Sequence, residues 1–155
     1  MTELASTTPG PKRPEFRNIN VFTDLPSYRL PAAGLVSILH RISGFIMFLL
    51  LPFIIWMFDV SVSSEISFAK FTNAFTRGIS CGPSSCLLAG WFIKLVALAL
   101  IWACLHHFIA GLRHLWMDIS HEAVSKEFGK ASATVTLVLS VTLTFVLGAK
   151  LFGFY

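Results

Sequence analysis

Three apolar stretches, each close to the length that crosses a lipid bilayer, constrain this chain more than any other feature. Residues 42–58 and residues 131–149 contain no charged side chain, and residues 87–117 form a third run with Lys94 near its start. A helix needs about 20 mainly apolar residues to span the hydrocarbon core. The sequence therefore predicts an all-α membrane protein with three transmembrane helices. These helices are expected at about residues 32–58, 87–117 and 131–153.

Composition supports a membrane environment and argues against a nucleic-acid partner. Of the 155 residues, 55% are hydrophobic and only 13% are charged, against about a quarter charged in soluble domains. The net charge is +4, but the basic residues flank the apolar runs and do not form a dense basic patch. The chain is thus expected to hold one small membrane domain and no separate catalytic module.

The first 30 residues differ from the rest of the chain. They are polar and proline-rich, which predicts an extended arm over residues 1–30, followed by an anchor domain over residues 31–155. The first apolar run begins too late for an ordinary cleaved secretory signal, and Glu3 and Glu15 argue against an organellar transit peptide. A bacterial inner-membrane protein that keeps its N-terminus is expected.

The first span and the connection after it carry further local signals. Pro52 predicts a kink that a membrane helix can tolerate. The polar connection over residues 59–86 is expected to contain a short amphipathic helix near residues 68–75. Cys81 and Cys86 in this connection would permit a disulfide if it faces an oxidising compartment, and two free thiols is the alternative.

The distribution of Lys and Arg predicts how the helices are oriented. Eight basic residues fall on the side of the N-terminus and the second connection, and four fall on the other side. Because positive charge is enriched in cytoplasmic segments, the N-terminal arm is expected in the cytoplasm and the C-terminus outside. The eight are Lys12, Arg13, Arg17, Arg29, Arg41, Arg113, Lys126 and Lys130, and the four are Lys70, Arg77, Lys94 and Lys150.

The second predicted span carries an unusual row of polar residues. His107, Gly111 and His114 follow each other at helical spacing and share one face. A neutral imidazole at the depth of His107 can bind haem iron without bringing a charge into the membrane. Gly111 leaves room for a flat macrocycle, and Arg113 and His114 could hold its propionates. The alternative is that His107 and Gly111 only pack against a neighbouring helix.

The first span has a second polar cluster at the same predicted depth. Ser37, His40 and Arg41 are spaced so that they can border one pocket. Arg41 is a permanent hydrogen-bond donor, and Ser37 adds a second one. A quinone headgroup, with two carbonyl oxygens and an apolar tail, would suit such a pocket at the membrane edge. The alternative assigns Arg41 only to the positive flank of the helix.

Three motifs in this order resemble a known family. They are RPEF at residues 13–16, SILHRISG at residues 37–44, and H-x3-GLRH-x3-D at residues 107–118. Together they are similar to the cytochrome b membrane-anchor subunit of succinate dehydrogenase, respiratory complex II. The likeness extends over about residues 13–155 and includes the three-helix topology.

The resemblance implies a cofactor, a substrate and partners. It makes His107 an axial ligand of haem b, with the second ligand coming from a smaller anchor subunit. It assigns Ser37 and Arg41 to the ubiquinone site. The partners would be that second anchor, an iron–sulfur subunit and a flavoprotein. The residues implied around the haem propionates are His40, Arg41, Arg113 and His114.

Two alternatives and one neighbouring residue stay open at this point. A fumarate reductase anchor would have the same architecture with electrons flowing in the opposite direction. A haem-free structural or transport subunit would use its histidines for helix packing or proton passage. His106 directly precedes His107, but the H-x3-G spacing to Gly111 favours His107 as the ligand. His106 is expected to face lipid or the partner subunit.

Overall fold

The computed structural model describes residues 20, 22–24, 27–80 and 87–155. Three of its helices are long and apolar enough to cross a membrane, which confirms the predicted class of fold. Most of the predicted N-terminal arm lies outside the described residues, and so do Cys81 and Cys86. The RPEF motif is outside them as well.

The first predicted span is divided into two helices. Helix α1 (Ala32–Leu49) begins directly after Pro31, and α2 (Leu51–Val62) follows Leu50, whose φ of −87° and ψ of 2° interrupt the helix. Pro52 explains the break, because it has no N–H to donate and its ring collides with the carbonyl one turn earlier. The interruption therefore falls two residues before the proline. Helical structure also continues past the predicted end at residue 58.

The connection between the first two spans is ordered into a helix and a small hairpin. Helix α3 (Glu65–Thr76) begins at a capping box formed by Ser64 and Ser67, which extends the short helix predicted near residues 68–75. Strand β1 (Ile79–Ser80) then pairs in antiparallel fashion with β2 (Leu87–Leu88).

The second and third spans are longer or shifted relative to the prediction. Helix α4 (Gly90–Ile119) starts three residues after the predicted residue 87, because Leu87 and Leu88 belong to β2. Helix α5 (Lys126–Phe152) starts five residues before residue 131, because the Ser125 side chain caps it by accepting from the Phe128 N–H. The predicted charged link is thus reduced to a 3₁₀ turn (His121–Val124) and its two flanking serines.

The three long helices pack as a bundle with α4 in contact with both neighbours. A core of Val36, Ala110 and Ala133 joins the helices, and these small side chains allow a close approach. On the outer surface, large apolar side chains such as Phe45 and Phe145 are more than half exposed, as expected where a bundle faces lipid. Both α1 and α5 run antiparallel to α4, so the start of α1 lies beside the end of α4.

Candidate functional site

Two doublets of polar residues on α4 define the site. His106 and His107 form one doublet, and Arg113 and His114 form the other seven residues later. Seven residues are close to two helical turns, so each member of one doublet lies above its counterpart. The structure directs His107 and His114 toward α1 and directs His106 and Arg113 toward α5.

His107 is held in a defined orientation by α1. Its Nδ1 lies 3.1 Å from the backbone carbonyl oxygen of His40 and 3.3 Å from the Ser43 hydroxyl oxygen. A carbonyl can only accept, so Nδ1 is the donor in this hydrogen bond. Among the described residues, no hydrogen bond involves the Nε2 of this ring. The ring is therefore held through Nδ1, with Nε2 left without a partner in the described chain.

Ser43 and Gly44 are site residues whose roles sequence reasoning missed. The Ser43 hydroxyl donates to the His40 carbonyl at 2.8 Å, so it converges with His107 on one acceptor. A Cβ at Gly44 would lie 3.1 Å from His107 Cε1, which leaves no spare room for a side chain. Both residues follow His40 by about one helical turn within the SILHRISG motif. This spacing in the sequence indicates that Ser43 and Gly44 lie on the same face of α1 as His40.

His40 contacts two of the three histidines of α4, His107 and His114. Its ring stacks on His107 with centroids 4.1 Å apart, and the His114 ring is 5.3 Å away. His40 Nε2 is buried and has no hydrogen-bond partner among the described residues. A Cβ at Gly111 would meet this nitrogen at 3.7 Å, an ordinary contact. His40 Nε2, which lacks a hydrogen-bond partner, thus lies beside Gly111. Gly111 is the only residue without a side chain in the H-x3-GLRH-x3-D motif.

Ser37 and Arg41 lie at the same end of the bundle as His114. Ser37 is half-buried and Arg41 is exposed. No hydrogen bond found within the described ranges uses either side chain. Both are consequently available to a ligand that approaches the start of α1.

Arg113 is not brought together with the histidine cluster. Its side chain is only 9% exposed and turns to α5, where Nε donates to the Ser132 hydroxyl at 2.9 Å and Nη2 donates to the Gly129 carbonyl at 3.2 Å. The predicted position of Arg113 at haem propionates stays a prediction. In this structure, the guanidinium joins α4 to the first turn of α5.

The prediction that His106 faces lipid or a partner subunit is wrong. The side chain is 0% exposed, and its Nδ1 lies 3.2 Å from the Ser140 hydroxyl oxygen on α5. Its ring stacks on Trp102, one turn earlier on α4, with centroids 5.5 Å apart. The α5 partner could not be foreseen from the motif, because nothing in the sequence of α4 shows which face meets α5.

A self-contained metal centre is not found in the part of the chain that the structure describes. There, no group of three or more His, Cys, Asp or Glu side chains is placed to hold a metal ion. His107 Nε2 has no hydrogen-bond partner in that part of the chain, and neither do the buried Nε2 atoms of His40 and His106. Of the three, His107 is the side chain whose Nδ1 is bonded to α1.

Comparison with known proteins gives a consistent result. The sequence matches the family described as succinate dehydrogenase/fumarate reductase transmembrane subunit over residues 12–147. It is 33% identical to the succinate dehydrogenase cytochrome b556 subunit of Coxiella burnetii, with 76% of this chain and 83% of the relative covered. The subunit of the same name from Paracoccus denitrificans is 28% identical, with 79% and 88% covered. The chain therefore belongs to the succinate dehydrogenase/fumarate reductase transmembrane subunit family.

Proposed function

We propose that this chain is the haem b- and quinone-binding anchor subunit of a succinate:ubiquinone oxidoreductase. The observation that carries the proposal is the hydrogen bond from His107 Nδ1 to the His40 carbonyl, which leaves Nε2 free. Ligating histidines in metalloproteins commonly donate their other ring N–H to such an acceptor, which fixes the tautomer and raises the basicity of the ligand. The cytochrome b556 names of the relatives support the same cofactor.

The residues around His107 fit a haem whose edge points toward the cytoplasm. His107 Nε2 would bind the iron, and the gap at Gly111 would let the macrocycle approach α4. His40 Nε2, buried without a partner, and His114 would lie near the propionates, together with Arg41. Bound haem b would supply one-electron redox chemistry. The second axial ligand would come from a smaller anchor subunit.

The quinone would bind at the start of α1. Arg41 and Ser37 have no other hydrogen bonds in the described chain, so both can donate to a quinone carbonyl oxygen. The Arg41 guanidinium would polarise the carbonyl, while the apolar tail of the quinone would extend into the bilayer. Reduction to quinol takes two electrons, relayed from succinate through a flavoprotein and an iron–sulfur subunit, and two protons. In this proposal the chain positions the quinone, and succinate is oxidised on the flavoprotein.

The proposed orientation places this site at the cytoplasmic face, next to those partners. Ser37, His40, Arg41 and His114 gather at the end of the bundle that is flanked by most of the basic residues. At the opposite end, Lys94 lies 5.5 Å from the centre of the Phe152 ring. A long basic side chain at that level can reach the outer interface. The N-terminus would accordingly be cytoplasmic.

The haem assignment is tested by replacing each member of the histidine doublet with leucine. Membranes that contain the assembled complex are compared by dithionite-reduced minus oxidised absorption spectra. We expect His107→Leu to abolish the b-type haem signal, because the ligand is lost, and His106→Leu to retain at least part of it. The reverse pattern would assign the iron to His106. A wild-type complex without any haem signal would support the structural alternative, in which the histidines serve helix packing.

The family description also includes fumarate reductase anchors. The direction of electron flow depends on the quinone potential and on the partner subunits, which the geometry of this chain does not set. The names of the relatives favour succinate oxidation. Co-purified partners and their activity with succinate or fumarate would decide between the two directions.

A further inference from the structure

His106 is fully buried, yet the proposed function gives it no task. Its Nδ1 lies 3.2 Å from Ser140 Oγ on α5, and its ring stacks on Trp102 at an interplanar angle of 19°. The Ser140 hydroxyl donates to the Leu137 carbonyl at 3.1 Å within its own helix. Ser140 is therefore fixed as an acceptor for the His106 N–H. The bond joins two helices at the centre of the bundle.

Adjacent residues of a helix point about 100° apart, so the direction of His106 determines the direction of His107. His106 is tied to α5, and Arg113, seven residues later, is tied to the same helix through Ser132 and Gly129. These hydrogen bonds to α5, about two turns apart on α4, oppose rotation of α4 about its own axis. They therefore also fix the direction of the residues on the side of α4 that faces α1.

The orientation of His107 is sensitive to such a rotation. A turn of roughly 10° displaces a ring about 6 Å from the helix axis by about 1 Å. The Nδ1 to His40 carbonyl distance is 3.1 Å, and a hydrogen bond does not survive an increase of that size. Loss of this bond would change both the ring angle and the basicity of Nε2.

We propose that His106 is a positioning residue, which through Ser140 fixes the rotation of α4 and so orients His107 toward the haem iron. This role rests on the proposed function, because it requires His107 to be the ligand. It concerns the geometry and the potential of the haem site, and it leaves the ligand itself unchanged.

The test removes the acceptor and leaves both histidines in place. Ser140→Ala in the assembled complex deletes the cross-helix bond with a loss of one atom. The matched control is Thr136→Val, one turn earlier on α5. Thr136 is equally buried at 2% exposed, but its hydroxyl donates only to the Ser132 carbonyl of its own helix. His106→Asn serves as a rescue variant, because its amide nitrogen can replace Nδ1 as the donor to Ser140.

We expect the Ser140→Ala complex to assemble with haem but to show a shifted haem midpoint potential. Its ferric haem should also show altered g values in electron paramagnetic resonance spectra, since these respond to the axial imidazole and its hydrogen bond. Thr136→Val should show neither change, and His106→Asn should lie closer to the wild type than His106→Leu does.

The possible outcomes distinguish failure of the positioning role from failure of the proposed function. If Ser140→Ala and Thr136→Val have the same potential and g values in a haem-containing complex, the positioning role is overturned while the proposed function stands. Loss of haem in His106→Leu with retention in His107→Leu would make His106 the ligand and also overturn the role. A wild-type complex without haem would overturn the proposed function and this inference together.

Discussion

The two polar faces of α4 contain similar residues and differ in the helix that their side chains contact and in the bonds that they make to it. On the α5 side, Arg113 is buried and donates to Ser132 and Gly129. His106 is buried with its Nδ1 bonded to Ser140, and its Nε2 has no hydrogen-bond partner among the described residues. On the α1 side, His107 has one nitrogen engaged and one free. His40 Nε2 on this side is buried without a partner.

This difference separates polar residues that hold the bundle together from those available to a ligand. A polar group at membrane depth is expensive and needs a partner. Where a neighbouring helix supplies that partner, the residue is explained by packing. On the α1 side, His107 Nε2 and the exposed Arg41 are the groups that the proposed function assigns to a cofactor and a substrate. Substitutions of the two arginines, of Ser37 and of three glycines test how well this distinction holds.

The two arginines should give the largest contrast. Arg113→Leu removes two hydrogen bonds from a charged, buried donor, and we expect a loss of about 1.5–3 kcal/mol in stability. Arg41→Leu should change stability by less than about 0.5 kcal/mol, because Arg41 is exposed and makes no such bonds. Unfolding of the purified subunit complex in mixed detergent, followed by circular dichroism, measures both.

Electron-transfer activity should also distinguish Arg41 from Arg113. Arg41→Leu should impair succinate-to-quinone electron transfer but spare succinate oxidation by water-soluble artificial acceptors. The same is expected of Ser37→Ala, with a smaller loss. If both activities fall together in Arg41→Leu, the residue is needed for assembly and the distinction between the two arginines fails.

Gly44 on α1 and Gly148 on α5 each pack against α4. Replacing either with alanine should reduce stability by an intermediate amount. Gly44→Ala brings a Cβ to 3.1 Å from His107 Cε1. Overpacking costs about 1–3 kcal/mol, and better helix propensity offsets about 1 kcal/mol of it. We expect a net loss near 1 kcal/mol and a lower haem content per complex, measured by the pyridine haemochrome spectrum.

Gly148→Ala is the comparison variant for Gly44→Ala. Its Cβ would lie 2.8 Å from Leu98 Cδ1, the end of a flexible side chain that can move aside. Stability should fall modestly while haem content stays at the wild-type level. A loss of haem in Gly148→Ala that equals the loss in Gly44→Ala would show that the effect is not specific to the α1 face.

Gly111→Ala should have the smallest effect on stability among the three glycine substitutions. The added Cβ meets His40 Nε2 at 3.7 Å, which is ordinary van der Waals contact, so unfolding should change by less than about 1 kcal/mol in either direction. Haem content should nevertheless fall if the macrocycle approaches α4 at this gap. Wild-type haem content in Gly111→Ala would remove that role from Gly111.

The sequence predicted the membrane class and the number of spans because charge-free runs of this length have few other uses. It also predicted the row of His107, Gly111 and His114, since helical spacing alone fixes a shared face. The boundaries of α4 and α5 were less accessible. They depend on the pairing of Leu87–Leu88 with β1 and on the Ser125 cap, which are local contacts that outweigh hydropathy.

The role of His106 could not be predicted for a different reason. Which helix meets a given face of α4 is a tertiary property, so the motif alone could not distinguish lipid from protein around this residue. One signal was present in the third span, where Ser132, Thr136, Ser140 and Thr144 recur every four residues. Such a polar row on a membrane helix indicates a protein-facing side.

The interruption at Leu50 has a consequence for how the molecule transmits movement. Helix α1, which holds His40 against α4, ends there, and α2 packs against α3 on the other side of the break. We expect a displacement of the outer segment to be absorbed by bending at Leu50 and not to tilt α1. Movements of α2 and α3 at the opposite membrane surface would then leave the position of His40 beside His107 unchanged.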